Sequence, residues 1–384
     1  MKIACIHQGY ELYGSDRCFV ESVAALREAY PGAEIEVVLP RPGPIVAALE
    51  PHASVIRFEP LFVLRRKGLL KLALIGWLTL PLALARAARR IAASDLVYVN
   101  TSVVLDYQLA ARAFPAKALL HIHEIPTGLA RWILRRVALW SRARLIFNSR
   151  ATRDSFAPPP GRAGEVIYNG IDGPPAPAPA TYDGRRPLRV ALLGRINRIK
   201  GQDVLLAALK RLPDAHRRIE ARLVGGAFEN PALEARLRDD VAAAGLSGAV
   251  SVEPFAADTA PIYAWADIVV APSKRPESLG RTAIEAMSFG RPALVSAIGG
   301  LTEVVLDGHT GWHVPPGDAE ALAATLEAIL ARPQDWRGFC AEARARYELL
   351  FSRKAASAAL AAAAARTLAR GPAVARPALA AKTR

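Results

Sequence analysis

Cysteine is scarce in this 384-residue sequence, which contains only Cys5, Cys18 and Cys340. Their spacing matches neither a metal-ligand motif nor a paired framework, so a zinc module and a disulfide scaffold are excluded. We expect reduced thiols in a cytoplasmic protein. The amino-terminal stretch MKIACIHQGY has one lysine and then a short apolar run, which is typical of a first β-strand and lacks the pattern of a signal peptide.

Long hydrophobic runs are also few, and the strongest one, Leu69–Ala85, is interrupted by Lys71 and Pro81. A membrane-spanning helix needs about 20 apolar residues, so this run is short. The basic residues that flank it on both sides are Arg65, Arg66, Lys67, Arg86, Arg89 and Arg90. Three interpretations stay open: an amphipathic helix on a bilayer surface, a buried helix, and a true span.

Acidic residues are missing from particular regions, which makes the net charge of +15 uneven. Residues 1–178 carry +8, residues 179–351 are neutral, and residues 352–384 carry +7 without one acid. This asymmetry indicates an anionic partner surface, either a membrane or a nucleic acid. A nucleic-acid-binding protein is the remote alternative, because the basic residues lack interleaved stacking aromatics and no recognition motif is present.

The apolar fraction of 52% and the length suit two α/β domains. In the second half, short apolar runs typical of buried parallel strands alternate with helical stretches. These runs are 189–193, 221–224, 250–252, 268–271 and 293–296, with helices at 203–212, 231–244, 259–265, 281–289 and 318–331. Such alternation predicts a doubly wound sheet.

The first half repeats this pattern, with strands predicted at 2–7, 35–39, 96–100, 118–122 and 144–148. The proline-rich stretch Gly173–Ala180 separates the two halves and is the best linker candidate. We therefore predict an N-terminal Rossmann-like domain over 1–178 and a second one over 179–335. A helix over 336–354 is expected to pack back on the first domain, followed by an Ala-rich basic tail over 355–384.

Two loops of the second half could bind an anionic ligand, since each follows a strand and precedes a helix. In LLGRINRIKGQD, Gly194 ends a strand, and Arg195 and Lys200 are two cations that suit a diphosphate. A solvated basic loop, with Arg198 equally important, is the alternative interpretation. The motif alone does not decide between them.

The second loop contains two acids, Glu277 in the loop and Glu285 in the following helix, with Gly280 between them. Glycine lets a backbone approach a ligand closely, and carboxylates accept hydrogen bonds from sugar hydroxyls. Glu285 follows Glu277 by eight positions, so the two acids do not share one helical face. We expect them to grip two parts of an elongated ligand.

The stretch Glu277–Glu285 resembles the Glu-x7-Glu signature of family-4 retaining glycosyltransferases, which have the GT-B fold of two Rossmann-like doubly wound domains facing each other across a cleft. The surrounding motifs agree in order over residues 1–350: FNSRATRD at 147–154, IYNGID at 167–172, GRINRIKG at 194–201, ADIVVAPS at 266–273, FGRPALVSAIGGLTEVV at 289–305 and TGWHVPPGD at 310–318. The resemblance implies transfer of a sugar from a nucleotide-diphosphate-sugar donor to a glycan or lipid-linked acceptor.

The resemblance also assigns roles to donor-side residues. It implies that Arg195 and Lys200 hold the donor diphosphate, that Glu277 contacts the transferred sugar and that Glu285 grips the ribose. Ser278, Leu279 and Gly280 match the loop that lines the sugar pocket, where the family more often has Gly-Phe-Gly.

On the acceptor side, His123 resembles the family histidine that faces the reacting sugar, with His121 as the alternative. The amino-terminal loop departs from the family, since Gly14 and Ser15 replace a Gly-Gly pair. Asp16 is expected to cap the following helix, and Asp16 and Arg17 are candidate acceptor contacts.

The resemblance implies an enzyme that uses no cofactor and no metal, because the nucleotide sugar is a substrate and no acidic motif has the spacing of a magnesium site. It further implies retention at the anomeric carbon. A sugar-nucleotide hydrolase or a non-catalytic binding subunit of the same fold is the alternative. On analogy, cell-envelope polysaccharide assembly is the expected setting, with peripheral attachment to the inner face of the cytoplasmic membrane.

Overall fold

The computed structural model describes residues 1–12, 14–64, 69–180, 182–227 and 230–369, with the side chains of 69–77 outside the description. The chain divides into two compact units. Unit 1 comprises residues 1–148, 153–167 and 357–384, and unit 2 comprises residues 149–152 and 168–356. Each unit is an α/β domain with its own parallel sheet.

Unit 1 contains a seven-stranded sheet in the order β3-β2-β1-β4-β5-β6-β7, and every pairing is parallel. The strands are β1 Lys2–His7, β2 Glu34–Leu39, β3 Val55–Phe58, β4 Leu96–Asn100, β5 Ala118–Ile122, β6 Arg144–Phe147 and β7 Glu165–Val166. The helices are α1 Gly14–Ala29, α2 Ile45–Leu49, α3 Leu69–Ala93, α4 Leu105–Ala111, α5 Gly128–Trp140 and α6 Arg150–Phe156, whose first residues belong to unit 2. Alternate strand residues enter two cores, with Ala4 and Ile6 in one and Ile3 and Cys5 in the other.

Unit 2 contains a six-stranded parallel sheet in the order β10-β9-β8-β11-β12-β13. Its strands are β8 Leu188–Leu193, β9 Ile219–Val224, β10 Val250–Glu253, β11 Ile268–Ala271, β12 Ala293–Ser296 and β13 Gly311–Val314. Its helices are α7 Gln202–Leu209, α8 Ala215–Arg218, α9 Pro231–Ala243, α10 Ala260–Trp265, α11 Arg281–Ser288, α12 Leu301–Val304, α13 Ala319–Ala331 and α14 Arg337–Arg346. Burial on both faces explains the continuous apolar strands.

Helix α3 contains the long apolar run of the sequence and continues through Pro81 to Ala93. In its second half Ala87 and Ile91 are buried in the core, whereas Leu78 and Leu82 are exposed. Arg65–Gly68 and the side chain of Lys71 lie outside the described residues. Within the described part of the chain, no helix is long and apolar enough to cross a membrane.

The chain passes from unit 1 to unit 2 between Ile167 and Tyr168, before the proline-rich stretch at 173–180. The reason is packing: Ile171 is buried in a unit 2 core, and Arg344 donates a hydrogen bond to the carbonyl of Pro174. The sequence analysis placed this boundary at residues 178–179.

The carboxy-terminal element of unit 1 also begins later than the sequence analysis expected. Helix α14 lies in unit 2, where Ala343 packs beside α11. The last described helix, α15 Arg353–Leu368, starts in unit 2 and continues in unit 1. There Leu360, Ala363 and Ala364 are buried in the core. Residues 357–368, predicted as tail, are therefore part of unit 1, while residues 370–384 lie outside the description.

Candidate active site

The loops after β8 and β11 start at the carboxyl edge of the unit 2 sheet, where parallel α/β folds bind ligands. Gly194 begins the first loop with a φ of +147° and donates its N–H to the carbonyl of Val224 at 3.0 Å. A Cβ at Gly225 would lie 2.0 Å from the Gly194 oxygen. The two strand ends approach so closely that glycine is required at position 225.

The β8–α7 loop is folded onto the β11 loop. The side-chain oxygen of Asn197 accepts hydrogen bonds from the N–H groups of Ile199 and Lys200 at 2.9 and 3.0 Å. Gly201 has a φ of +78°, and a Cβ there would lie 2.0 Å from the carbonyl oxygen of Pro272. These contacts fix the backbone of Lys200 beside the end of β11.

Lys200 and Glu277 form an ion pair across these two loops, with 2.9 Å between Nζ and Oε1. The hydroxyl of Ser273 donates a hydrogen bond to the same carboxylate oxygen. The side chains of Lys200 and Glu277 are 27% and 15% exposed. The ammonium has three donors and uses one on Glu277, so it can still donate to a ligand.

The Glu277 loop is held in place by the Gly299–Gly300 pair that follows β12. The Gly300 N–H donates to the Glu277 carbonyl at 2.8 Å. A Cβ at Gly299 would lie 2.5 Å from the Glu277 oxygen, and one at Gly300 would lie 2.4 Å from the oxygen of Ser278. A side chain at position 299 or 300 would collide with the backbone of the loop that carries Glu277, so both positions require glycine.

Glu285 has two partners that hold both of its oxygens. The hydroxyl of Tyr263, on α10, donates to Oε2 at 2.6 Å, and the Arg281 Nε–H donates to Oε1 at 2.8 Å. Tyr263 is buried, and its pKa lies well above its ordinary value, first because of burial and then because of the negative charge of Glu285. A neutral phenol is therefore a permanent donor to Glu285.

Gly280 precedes α11 with a φ of +89°, and a Cβ there would lie 2.5 Å from Leu301 Cδ2. Leu279 is buried, and the side chain of Arg195 is exposed on its loop. These side chains therefore make two sets of direct contacts. Lys200 contacts Glu277, and Tyr263 and Arg281 contact Glu285. Arg195 and Ser278 lie on the same two loops.

In unit 1, the acceptor-side candidates surround a buried polar network. Gly14 and Ser15 form the first turn of α1 rather than a turn before it. The Asp16 carboxylate, predicted as a cap, is buried 2.8 Å from His7 Nε2. The Asn100 amide nitrogen lies 3.0 Å from His7 Nδ1 and can only donate, so Nε2 carries the proton that Asp16 accepts.

Other contacts fix the same amino-terminal loop. The Arg17 Nε–H donates to the Leu12 carbonyl at 3.3 Å. A Cβ at Gly9 would lie 1.8 Å from the Asp16 carboxylate. The backbone at Gly9 therefore covers the His7–Asp16 pair, and only glycine fits there.

Both candidate histidines stand at the end of β5. His121 Nδ1 lies 2.7 Å from the Tyr98 hydroxyl, and its ring centroid lies 4.0 Å from that of His123. Burial lowers the pKa of His121 to about 3. Burial, and then the charges of His121 and His7, lower the pKa of His123 well below its ordinary value. Both rings are neutral near pH 7.

Sequence reasoning missed several residues of these sets. Tyr263 lies 22 residues before Glu285, so no local spacing relates the two. Arg281 precedes Glu285 by four residues on one helix, a spacing that does predict an ion pair. In unit 1, Glu124 accepts hydrogen bonds from the N–H and hydroxyl of Ser102 beside the histidines. Among the described residues, no cluster of three or more His, Cys, Asp or Glu could hold a metal ion.

Two parallel-sheet α/β units, the second with acids and cations at its carboxyl edge, are the fold class of GT-B glycosyltransferases. The crystal structure of Alr3699/HepE from Anabaena, in complex with UDP and glucose, matches this fold with a TM-score of 0.76. The sequences are 23% identical, and the match covers 95% of this chain and 99% of the other. The predicted fold class is therefore confirmed.

Residues 185–346 of this chain match the family model of glycosyl transferases group 1. A D-inositol 3-phosphate glycosyltransferase of Mycobacterium sp. (strain JLS) is 34% identical over 178 residues, which are 44% of this chain and 39% of that protein. The protein of the same name from Frankia alni is 32% identical over 284 residues, or 68% of this chain and 65% of that protein. The chain thus spans less than two thirds of either relative. The resemblance read from Glu277–Glu285 is confirmed, and family 4 is consistent with it.

Proposed function

We propose that the protein is a retaining glycosyltransferase that moves a sugar from a nucleotide-diphosphate-sugar donor to a glycan or lipid-linked acceptor. The observation that carries this proposal is the Lys200–Glu277 ion pair at the carboxyl edge of the unit 2 sheet. The match of residues 185–346 to the family model of glycosyl transferases group 1 supports the reaction class. UDP-sugars are the first donors to test, because Alr3699/HepE was solved with UDP and glucose.

In the proposed reaction, the bond between the anomeric carbon and the donor phosphate oxygen breaks while the acceptor oxygen bonds to the same face of that carbon. The acceptor proton passes to the departing diphosphate, which completes the balance. Lys200, Arg195 and the first amides of α11 after Gly280 stabilise the charge on the leaving diphosphate. Such preorganised donors commonly provide the largest share of catalysis.

The two acids have separate roles in this proposal. Glu277, held by Ser273 and Lys200, accepts hydrogen bonds from hydroxyls of the transferred sugar. Glu285, held by Tyr263 and Arg281, accepts hydrogen bonds from the ribose hydroxyls. A carboxylate with fixed neighbours loses little freedom when it binds, so both acids are preorganised for a polyhydroxyl ligand. Ser278 and Leu279 line the sugar pocket beside them.

For the acceptor side, we propose His123 as the residue that faces the reacting sugar. His123 follows the last residue of β5 and so belongs to the loop at the carboxyl edge of the unit 1 sheet, whereas His121 is 3% exposed and its Nδ1 lies 2.7 Å from the Tyr98 hydroxyl. A neutral imidazole can donate a hydrogen bond without repelling the oxocarbenium-like sugar. Gly14, Ser15, Asp16 and Arg17 are proposed to contact the acceptor. No metal cofactor takes part, so activity should survive chelation of divalent cations.

We also propose that unit 1 attaches peripherally to an anionic membrane surface on the cytoplasmic side. Three large apolar residues of helix α5 are exposed to solvent: Leu129 is 66% exposed, Trp132 is 56% exposed and Trp140 is 50% exposed. Residues 131–153 contain seven arginines and no acid. The Arg136 guanidinium lies 4.8 Å from the centre of the Trp132 ring. Exposed apolar residues among cations are typical of helices that bind membrane interfaces, and cell-envelope polysaccharide assembly would place the acceptor there.

The reaction class is tested by incubating the protein with nucleotide sugars and following products by proton NMR. We expect release of the nucleoside diphosphate and a glycoside with the same anomeric configuration as the donor. An inverted product would contradict retention. Release of free sugar with every acceptor supplied would instead indicate the hydrolase alternative.

A further inference from the structure

A cationic cavity of about 300 Å³ opens in unit 1, away from the histidine network. It lies at the amino ends of β5, β6 and β7, with Arg142, Arg144, Arg162, Glu165 and Thr367 in its lining. His121 and Asn100 lie at the carboxyl ends of their strands. Because all strands of this sheet are parallel, the cavity and the histidine network occupy opposite edges.

The charge inside this cavity is unbalanced. Among the described residues of its lining, Glu165 is the one carboxylate. Each of its oxygens already accepts from a different guanidinium, Oε1 from Arg144 and Oε2 from Arg366. Glu165 is therefore shared by two cations and does not neutralise Arg142 or Arg162.

Arg162 stands among like charges. Its guanidinium donates hydrogen bonds to the backbone carbonyls of Leu139 and Ala143, which fixes it in the wall of the cavity. Burial, and then the positive charges of Arg142 and Arg112, lower its pKa. Three guanidiniums near one another without a matching acid repel, which is unfavourable unless an anion joins them.

Two further details indicate a missing anionic partner. The Nε–H of Arg144 is buried without a hydrogen-bond partner among the described residues, and buried donors are nearly always paired. Arg142 is exposed with a φ of +60°, which is uncommon for a residue with a side chain, and it makes no hydrogen bond in the described part of the chain. Its charge is available to a ligand.

We propose that this cavity is a second anion-binding site, which takes the phosphate group of a phosphorylated ligand through Arg142, Arg144 and Arg162. The planar guanidinium donates pairs of N–H groups that match phosphate oxygens. The volume exceeds that of a single phosphate, so a pyrophosphate or a phosphorylated headgroup fits. This site is independent of the proposed transferase reaction.

Calorimetric titration with sodium pyrophosphate tests the proposal on the whole 384-residue chain. The substitutions are Arg142→Gln and Arg142→Glu, with Arg89→Gln as the control because Arg89 is an exposed arginine of the same unit. In the Lys200→Ala protein, where binding at the unit 2 loop is removed, Arg142→Gln should weaken pyrophosphate binding about tenfold, Arg142→Glu should abolish it, and Arg89→Gln should leave it unchanged. Lys200→Ala separates the two sites: it removes binding at the unit 2 loop and leaves the Arg142-dependent binding intact.

Vesicles distinguish the two sources of a phosphate group. Binding to phosphatidic acid vesicles, compared with phosphatidylcholine vesicles, should depend on Arg142 if the ligand is a lipid headgroup, whereas saturable binding of free pyrophosphate indicates a soluble ligand. Either Arg142-dependent result supports the anion site. The proposal is overturned if Arg142→Glu binds both pyrophosphate and phosphatidic acid as the unchanged protein does, or if neither binds.

Discussion

Lys200 Nζ and Glu277 Oε1 lie 2.9 Å apart, so a cation of the β8–α7 loop and an acid of the β11–α11 loop meet directly. The two residues are 77 positions apart in the sequence, and the parallel order β8-β11 brings them to one edge of the sheet. Ser273 holds the same carboxylate oxygen. Both side chains are partly exposed, so the ion pair adds little to the free energy of unfolding. Its main effect is to hold the two charged groups in fixed positions.

Lys200→Ala tests the role of this pair in catalysis. The substitution removes a charge that stabilises the departing diphosphate, so kcat/KM should fall by an amount equivalent to about 2–4 kcal/mol of transition-state stabilisation. Steady-state kinetics provides the measurement. Lys210→Ala, at an exposed lysine of the same unit, serves as the control and should leave kcat/KM unchanged. Near-normal turnover by Lys200→Ala would remove Lys200 from the mechanism.

Tyr263→Phe tests how Glu285 is positioned. The substitution removes the phenol that donates to Glu285 at 2.6 Å, and a hydrogen bond to a charged group contributes about 1.5–3 kcal/mol. The dissociation constant of the nucleoside diphosphate should therefore rise about tenfold. Tyr182→Phe is the matched control, since that ring stacks on Trp336 in a different core cluster from Tyr263. Equal affinity of the Tyr263→Phe and Tyr182→Phe variants would contradict the assignment.

His121 makes unit 1 sensitive to acid. Its pKa is about 3 in the folded protein and about 6.5 when exposed. Between these two values the unfolded chain binds a proton at this ring and the folded chain does not. The stabilising contribution is complete above pH 6.5 and is lost as the pH falls toward 3. Between pH 7 and 5 this residue alone should lower the free energy of unfolding by about 2 kcal/mol.

His121→Gln should therefore lose about 2 kcal/mol less over that interval than the unchanged protein does, as measured by urea unfolding at both pH values. His123 remains and leaves a residual slope. The control is His309→Gln, because the side chain of His309 is 66% exposed. Identical slopes for His121→Gln and the unchanged protein would show that His121 keeps an ordinary pKa.

Leu129→Ser tests membrane attachment by helix α5. If this face enters the interface, loss of the side chain should lower affinity for phosphatidylglycerol vesicles about tenfold, since burial of a leucine contributes about 1.5–3 kcal/mol. Flotation of vesicles is the assay. Leu349→Ser changes a comparably exposed leucine of unit 2 and should have no effect. Attachment through α5 would be excluded if the fraction of protein that floats with the vesicles depended neither on anionic lipid nor on the Leu129→Ser substitution.

Much of the fold could be predicted from the sequence, because buried parallel strands are short apolar runs between helices. Lys2–His7, Leu96–Asn100 and Ile268–Ala271 have the predicted bounds. Three strands were not predicted, and each lacks that pattern. β3 is mostly exposed, and β7 has only two residues. β13 begins with Gly311, where an added Cβ would lie 2.0 Å from the Ala293 carbonyl oxygen, so an apolar side chain does not fit there.

The site was less predictable than the fold. Glycines and charges in loops after strands located Lys200, Glu277 and Glu285, because backbone approach and charge are local properties. Tyr263 was not found, since its hydroxyl reaches Glu285 from a different helix. The His7–Asp16 contact depends on how α1 packs against the end of β1, which no spacing in the sequence encodes.

The central claim is that Lys200, Glu277 and Glu285 serve one nucleotide-sugar ligand, and calorimetric titration with a panel of nucleoside-diphosphate sugars tests it most directly. We predict that at least one member binds saturably, and that Lys200→Ala and Glu285→Gln each weaken its binding about tenfold or more. Binding that both variants retain at full strength, or the absence of binding by every member of the panel, would contradict the claim.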